Sequence, residues 1–324
     1  MSRLTPKIIA ATLVTAISST ALAADFPSRP LRMIVPFSPG GASDLVGRII
    51  QPALADRFGQ QIVIDNRPGA AGNIGVETAA RANPDGYTFL LGNIGTMAIN
   101  PVYYTKFQFK PLQDLIPITQ VVDVPGSLVS HPSVPAKTVK ELVAYMKANP
   151  GKLNYGAAAP SSANTLEALM FLNMTGTSAT QIPYKGGAGP ATIGLLSNEV
   201  QWLMATFSST VNFAKQGRLR MLGIIAPERS AAMPETPTMR EQGFNMVVGS
   251  WQGLFVPKGT PAGVVSTLYK VGQAAMKDPS VIKKLDDSGV SIITSKSPAD
   301  FTAFVKSETE RFSKAIRDNK IQTE

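Results

Sequence analysis

The sequence predicts an α/β protein of two lobes with a ligand cleft between them, the first lobe discontinuous along the chain. Three observations predict it. Short apolar runs alternate with segments of helical periodicity over most of the length. That alternation restarts near residue 125. A late strand leads into a proline-glycine turn and two closing helices, which reads as a return to the first unit. With 324 residues, the chain is long enough for two cores rather than one.

The first residues carry an address. Arg3 and Lys7 form a basic start, Ile8 to Ile17 an apolar core, and Ala21-Leu22-Ala23 a small-x-small cleavage site. This is the pattern of a secretory signal peptide, and its apolar core is too short to span a bilayer. Cleavage after Ala23 removes 23 of 324 residues and leaves 301, and the mature protein is expected to be soluble and exported. No cysteine follows the cut, which excludes a lipid-anchored thiol. No later apolar stretch approaches the ~18 residues of a membrane span.

The elements follow in order. LRMIVPF (31–37) predicts a strand, and ASDLVGRIIQPALADRF (42–58) a helix that Ser43 or Asp44 could cap. QIVIDN (61–66) is a second strand, followed by the glycine-rich RPGAAGNIG and a helix through VETAARA. YTFLLGN (87–93) is a third strand. Apolar residues at most strand positions predict mainly parallel sheets covered on both faces. After 114–132 the rhythm restarts: a helix over 138–150 closed by Pro150-Gly151, a strand over 152–159, a helix over 164–176, and a strand from 179. A helix over 188–199 and strands over 200–207 and 218–226 complete the second unit. The segment 249–261 is the returning strand and turn, with helices over 262–276 and 298–318. The expected lobes are therefore 24–122 with 241–324, and 123–240.

Composition narrows the chemistry. The absence of cysteine rules out disulfides, thiolate catalysis and cysteine-ligated metals. The formal charge of +9, or +7 without Arg3 and Lys7, is thinly spread. Its densest places, KQGRLR (215–220) and IKKLDD (282–287), form no basic stripe with interleaved aromatics, so nucleic acid is not an expected partner. A basic surface suits an anionic small ligand by steering alone.

Three loops carry the candidate site. In PFSPGGASD, Phe37, Ser38, Pro39, Gly40, Gly41 and Asp44 lie where a strand hands over to a helix. Backbone N–H groups at such a junction face outward at the positive end of the helix, and glycines leave room for an anion to approach. A tight turn that needs glycine for its angles alone is the competing explanation. Neither G-x-G-x-x-G nor G-x-x-x-x-G-K-[ST] is present. The same context recurs in AAAPSSANTL, with Ser161, Ser162 and Asn164, and in IPYKGGAGPA, with Tyr184, Lys185, Gly186 and Gly187. Helix capping competes at Ser161 and Asn164, but three similar loops favour a shared cleft. Reactive groups are scarce. His131 is the single histidine, in a proline-rich connector, and no D-x-[DN]-x-[DN]-G loop or G-x-S-x-G elbow occurs.

The chain resembles the substrate-binding receptors of tripartite tricarboxylate transporters, the Bug-type family. The resemblance rests on FPSRPLRMIVPFSPGGASDLVGR, VIDNRPGAAGNIG, NPDGYTFLLGN, YKGGAGPATIGLLSNEV, GRLRMLGI, PETPTMREQGF and WQGLFVPKGTPAGVV in this order, and covers essentially the whole chain. It implies a type II periplasmic-binding-protein fold that closes over a carboxylated solute and delivers it to a two-subunit membrane permease. No cofactor is implied, and a monomer is expected. Carried over residue by residue, it adds Asn93 and Thr96 at the end of the third strand. Two departures stand out. Ser161-Ser162 and Thr165 occupy positions where the family has a glycine-serine pair and a histidine. Thr206 stands where an aspartate is common, which disfavours an amino-group ligand and, with Trp251, suggests a less charged far wall. A carboxylate sensor without transport duty, and an exported hydrolase or isomerase using Asp44, Lys185 or His131, are the competing readings.

Overall fold

The computed structural model describes residues 26–104, 109–157, 161–184, 188–226, 228–246, 249–318 and 321–323. The signal peptide expected over 1–23 lies outside them, as do Lys185, Gly186 and Gly187.

The first lobe opens with β1 (Leu31–Val35), α1 (Ala42–Phe58), β2 (Ile62–Asn66), α2 (Asn73–Ala80) and β3 (Thr88–Asn93). A π-helical turn, Gly95–Ile99, runs into α3 (Asn100–Tyr103), and α4 (Pro111–Asp114) precedes the long β4 (Leu115–Ser130). The second lobe holds α5 (Val139–Ala148), β5 (Asn154–Ala157), α6 (Ala163–Thr175), β6 (Thr180–Pro183), α7 (Ala188–Leu196), β7 (Trp202–Thr206), α8 (Phe207–Lys215) and β8 (Arg220–Ile225). β9 (Gly249–Pro257), α9 (Ala262–Ala275), α10 (Pro279–Asp287), β10 (Ser291–Ile292) and α11 (Pro298–Asp318) close the chain. α1 shows why these boundaries fall where they do. It starts after Gly41 in extended conformation and stops at Gly59, whose φ of 63° is a left-handed helix end.

Two sheets share one strand. In the first, the order is β2-β1-β3-β9-β4, with β10 on the far side of β4. In the second, β8 and β7 flank the end of β4, and β5 and β6 extend the sheet beyond β7. β4 pairs with β9 up to Pro125 and with β7 and β8 from Gly126, so the change of sheet falls between those two residues. The expectation of mainly parallel sheets needs correction. β1 with β2 and β3, and β5 with β6 and β7, are parallel, but every pairing of β4 and β9 is antiparallel. The reason is topological: β4 takes the chain out to the second lobe and β9 brings it back alongside.

Both faces of the first sheet are covered. Met33 and Val35 of β1 join one apolar cluster with Val46 and Ile50 of α1, Leu268 of α9 and Leu285 of α10. Ile34, pointing the other way, joins a second that reaches through Phe255 and Trp251 to Trp202 and Phe171 in the other lobe. The lobes thus share apolar packing around the strands that link them.

Candidate functional site

A cavity of about 390 Å³ lies between the lobes. Six strand-to-helix junctions supply its wall: Gly41 to Ser43 before and at the start of α1, Gly69 to Gly72 before α2, and Asn93 to Gly95 after β3 from the first lobe. The second lobe supplies Ser161 to Asn164 at α6, Pro183, Tyr184 and Ala188 around the start of α7, and Thr206 before α8. Helix starts carry partial positive charge and unpaired N–H groups. Among the described residues, no Asp, Glu, Lys, Arg or His lines the cavity. What the described wall offers a ligand is backbone dipoles, which at helix starts favour an anion.

The loop after β1 is held from behind. Gly40, with φ 87°, donates its N–H to Asp44 Oδ2 at 3.1 Å; Arg48 Nε reaches the same oxygen at 2.9 Å. Asn66 Nδ2 donates to Asp44 Oδ1 at 3.1 Å and to the Phe37 carbonyl at 3.0 Å. Burial alone would push the Asp44 carboxyl up, but bonds from Arg48, Gly40 and Asn66 outweigh it and hold the pKa below its ordinary value. Asp44 is thus a loop anchor, absent from the cavity wall together with Pro39 and Gly40. Neither Ser43 nor Asp44 caps α1; the N-cap is Gly41, with no side-chain cap, and Ser43 faces the cavity. Gly41 has φ −84°, so its role is space rather than backbone freedom.

The other expected residues divide similarly. Phe37, Ser38, Gly41, Asn93, Ser161, Ser162, Asn164, Tyr184 and Thr206 line the cavity. Thr96 does not; its N–H donates to Asn93 Oδ1 at 3.0 Å and its Oγ1 bonds the Asn93 carbonyl, so it orients Asn93. Tyr184 presents its ring, while its hydroxyl packs over Gly194. Ser162 caps α6 by accepting from the Thr165 N–H at 3.2 Å. Ser161 is fully buried and donates to Asn100 Oδ1 at 2.7 Å and to the Tyr104 hydroxyl at 3.3 Å, two first-lobe groups. Asn164 leans on Glu167, whose burial pushes its pKa up to about 8. Trp251 leaves the wall: its Nε1 donates to Glu308 on α11 at 3.1 Å, so its strand neighbour Gln252 faces the cavity instead. His131 bonds Ser133 and is not in the wall.

Sequence reasoning missed the turn after β2. Gly69, Ala70, Ala71 and Gly72 all have positive φ, at 124°, 44°, 55° and 90°. A Cβ on Gly72 would fall 2.6 Å from Thr96 Cγ2 and 3.1 Å from Phe37 Cζ. Its signal was present, since RPGAAGNIG is a glycine-rich segment between a strand and a helix, like PFSPGGASD and IPYKGGAGPA. Asn100, Tyr104, Ser250 and Gln252 were also missed. They sit inside a helix, just beyond it, or on a strand, where nothing local marks a binding residue.

Across the cleft the lobes touch. Besides Ser161 with Asn100, Gly189 of α7 lies so that a Cβ there would be 3.5 Å from the Pro39 carbonyl oxygen and 3.7 Å from Gly41 N.

The family model described as tripartite tricarboxylate transporter family receptor matches residues 46–321. Protein BugT of Bordetella pertussis is 33% identical over 295 residues, covering 90% of each chain. The solved structure of the periplasmic binding protein BugD superposes with a TM-score of 0.88 at 32% identity, over 92% of this chain and 100% of that one. R. palustris Rpa4515 with adipate gives a TM-score of 0.88 at 31% identity, over 92% and 99%. A two-lobed α/β fold, a cavity ringed by helix starts and matches over nine-tenths of the chain converge: the chain belongs to the tripartite tricarboxylate transporter family of periplasmic solute-binding receptors.

Proposed function

We propose that this receptor binds a small organic acid through at least one carboxylate and hands it to a two-subunit membrane permease, acting as a monomer after cleavage behind Ala23. The observation that carries the reading is the cavity ringed by helix starts from both lobes, with no charged side chain among the described residues of its wall. A carboxylate there accepts backbone and hydroxyl donors around Gly41 to Ser43 and Ser162 to Asn164, and so favours the joined arrangement of the lobes. The relative crystallised with adipate supports the same ligand class. Two of the three residues named for an enzyme, Asp44 and His131, are tied into their own loops and stand off the cavity, and the third, Lys185, lies outside the described residues. Lys185, Gly186 and Gly187 extend the proposed site from the loop before α7. A thermal-shift screen of the mature protein against carboxylic acids, each beside its amide, tests the reading. Acids should raise the unfolding midpoint and their amides should not; an equal response to both would overturn it.

A further inference from the structure

Gln252 is wholly buried, and neither its Nε2 nor its Oε1 has a hydrogen-bond partner among the described residues. Buried amides are otherwise almost always paired, because an unmade bond in a low-dielectric interior is costly. Its place in the fold explains what the unpaired amide faces. Along β9, Trp251 turns to α11 and the Gly253 position is filled by the Phe301 ring, while Gln252 points to the opposite face and lines the cavity. In the register of β3 and β9 it sits directly opposite Asn93. Directly opposed residues on antiparallel strands present their side chains together on one face.

Asn93 is fixed in orientation. The Thr96 N–H donates to its Oδ1, which leaves the Asn93 Nδ2 as a donor with no partner among the described residues. The strand wall thus offers two amide nitrogens that donate and one amide oxygen that accepts. A carboxylate would take the two donors but has no proton to give, and would leave Gln252 Oε1 unanswered. A hydroxyl answers the set, accepting through its lone pairs and donating its proton.

We propose that Gln252, with Asn93 beside it, is the specificity-determining residue for a hydroxyl group on the bound acid, so that the receptor selects hydroxylated acids over their unsubstituted parents. This rests on the carboxylate reading above and names the ligand class further. Isothermal titration of the mature protein with matched pairs tests it: 3-hydroxybutanoate against butanoate, 5-hydroxypentanoate against pentanoate, and 4-hydroxybenzoate against benzoate. In at least one pair the hydroxylated acid should bind about tenfold tighter or more, because the parent leaves buried polar groups unpaired. Gln252→Met, close in size, should bring that ratio near one. Its unfolding midpoint without acid should match or exceed that of the native chain, since the unpaired amide is gone, and this shows that the variant folds. Parents and hydroxylated acids binding alike in the native chain would overturn the proposal while leaving the carboxylate reading intact; Gln252 then holds only water. A preference that survives in Gln252→Met would overturn it too. If no acid of any pair binds, the carboxylate reading fails and the proposal with it.

Discussion

At the scale of single residues, Gly41 and Gly72 show two different reasons for a glycine. Gly41 has ordinary backbone angles, and a Cβ there would approach only the Ser38 carbonyl, at 3.8 Å. Gly41→Val should therefore fold normally and lose affinity for the acid by about tenfold to a hundredfold, the worth of one charge-assisted bond to the anion. Titration beside a thermal melt checks both halves, and unchanged affinity would remove this loop from the site. Gly72, in contrast, needs both its left-handed angles and its missing side chain, because Thr96 and Phe37 occupy the space. The sequence showed glycine or serine at strand-to-helix junctions, and described residues of all three such loops line the cavity. It did not show which member of a loop faces the ligand and which braces it. Asp44 and Thr96 look like binding residues by type, yet each spends its hydrogen bonds on the protein, whereas Ser162 both caps α6 and lines the cavity. Gln252 was hidden because on a strand the facing side is set by alternation, and Trp251 was the more conspicuous neighbour.

At the scale of elements, α1 was legible to the residue, since Gly41 and Gly59 bracket an unbroken helical pattern. Most strands were legible within a residue or two. β4 was not, because Pro117 and Pro125 interrupt its apolar run; both sit in the strand, the first beside a register shift and the second at the change of sheet. α10 was overlooked although Asp278 caps it and Pro279 opens it, a readable start signal. α6 carries a testable burden. Its Glu167 is buried against the chain at Gly126, where a Cβ would stand 3.2 Å from Oε1. Burial raises its pKa from 4.5 to about 8, so between those values the folded protein holds a proton that the unfolded chain has released. Stability present in full below about pH 4.5 is then lost as pH rises to about 8, at roughly 1.4 kcal/mol per pH unit at most. Glu167→Gln should remove that slope. Its melting temperature should exceed the native value at pH 8 and approach it at pH 5; parallel curves for the two proteins would refute the assignment.

At the scale of the whole molecule, two lobes joined by β4 and β9 meet again at the wall of the cavity, through Ser161 with Asn100 and Tyr104, and through Gly189 against the first loop. The Ser161–Asn100 bond joins two protein side chains, so it favours the joined lobes to the same extent whatever acid is present. It acts as a preload on the conformational equilibrium. Observed affinity is the intrinsic affinity scaled by the fraction of molecules already shaped to bind, and this bond raises that fraction. Ser161→Ala should therefore weaken every acid by one common factor, about twofold to tenfold for a single neutral bond, with their rank order preserved. Titration of several acids against both proteins would show it, and a factor that varied with the acid would mean that Ser161 touches the ligand itself. Selectivity and gain are thereby separable in this molecule: the donors that the wall leaves free rank the solutes, and a bond that two wall residues make with each other sets how dilute any of them can be and still be caught.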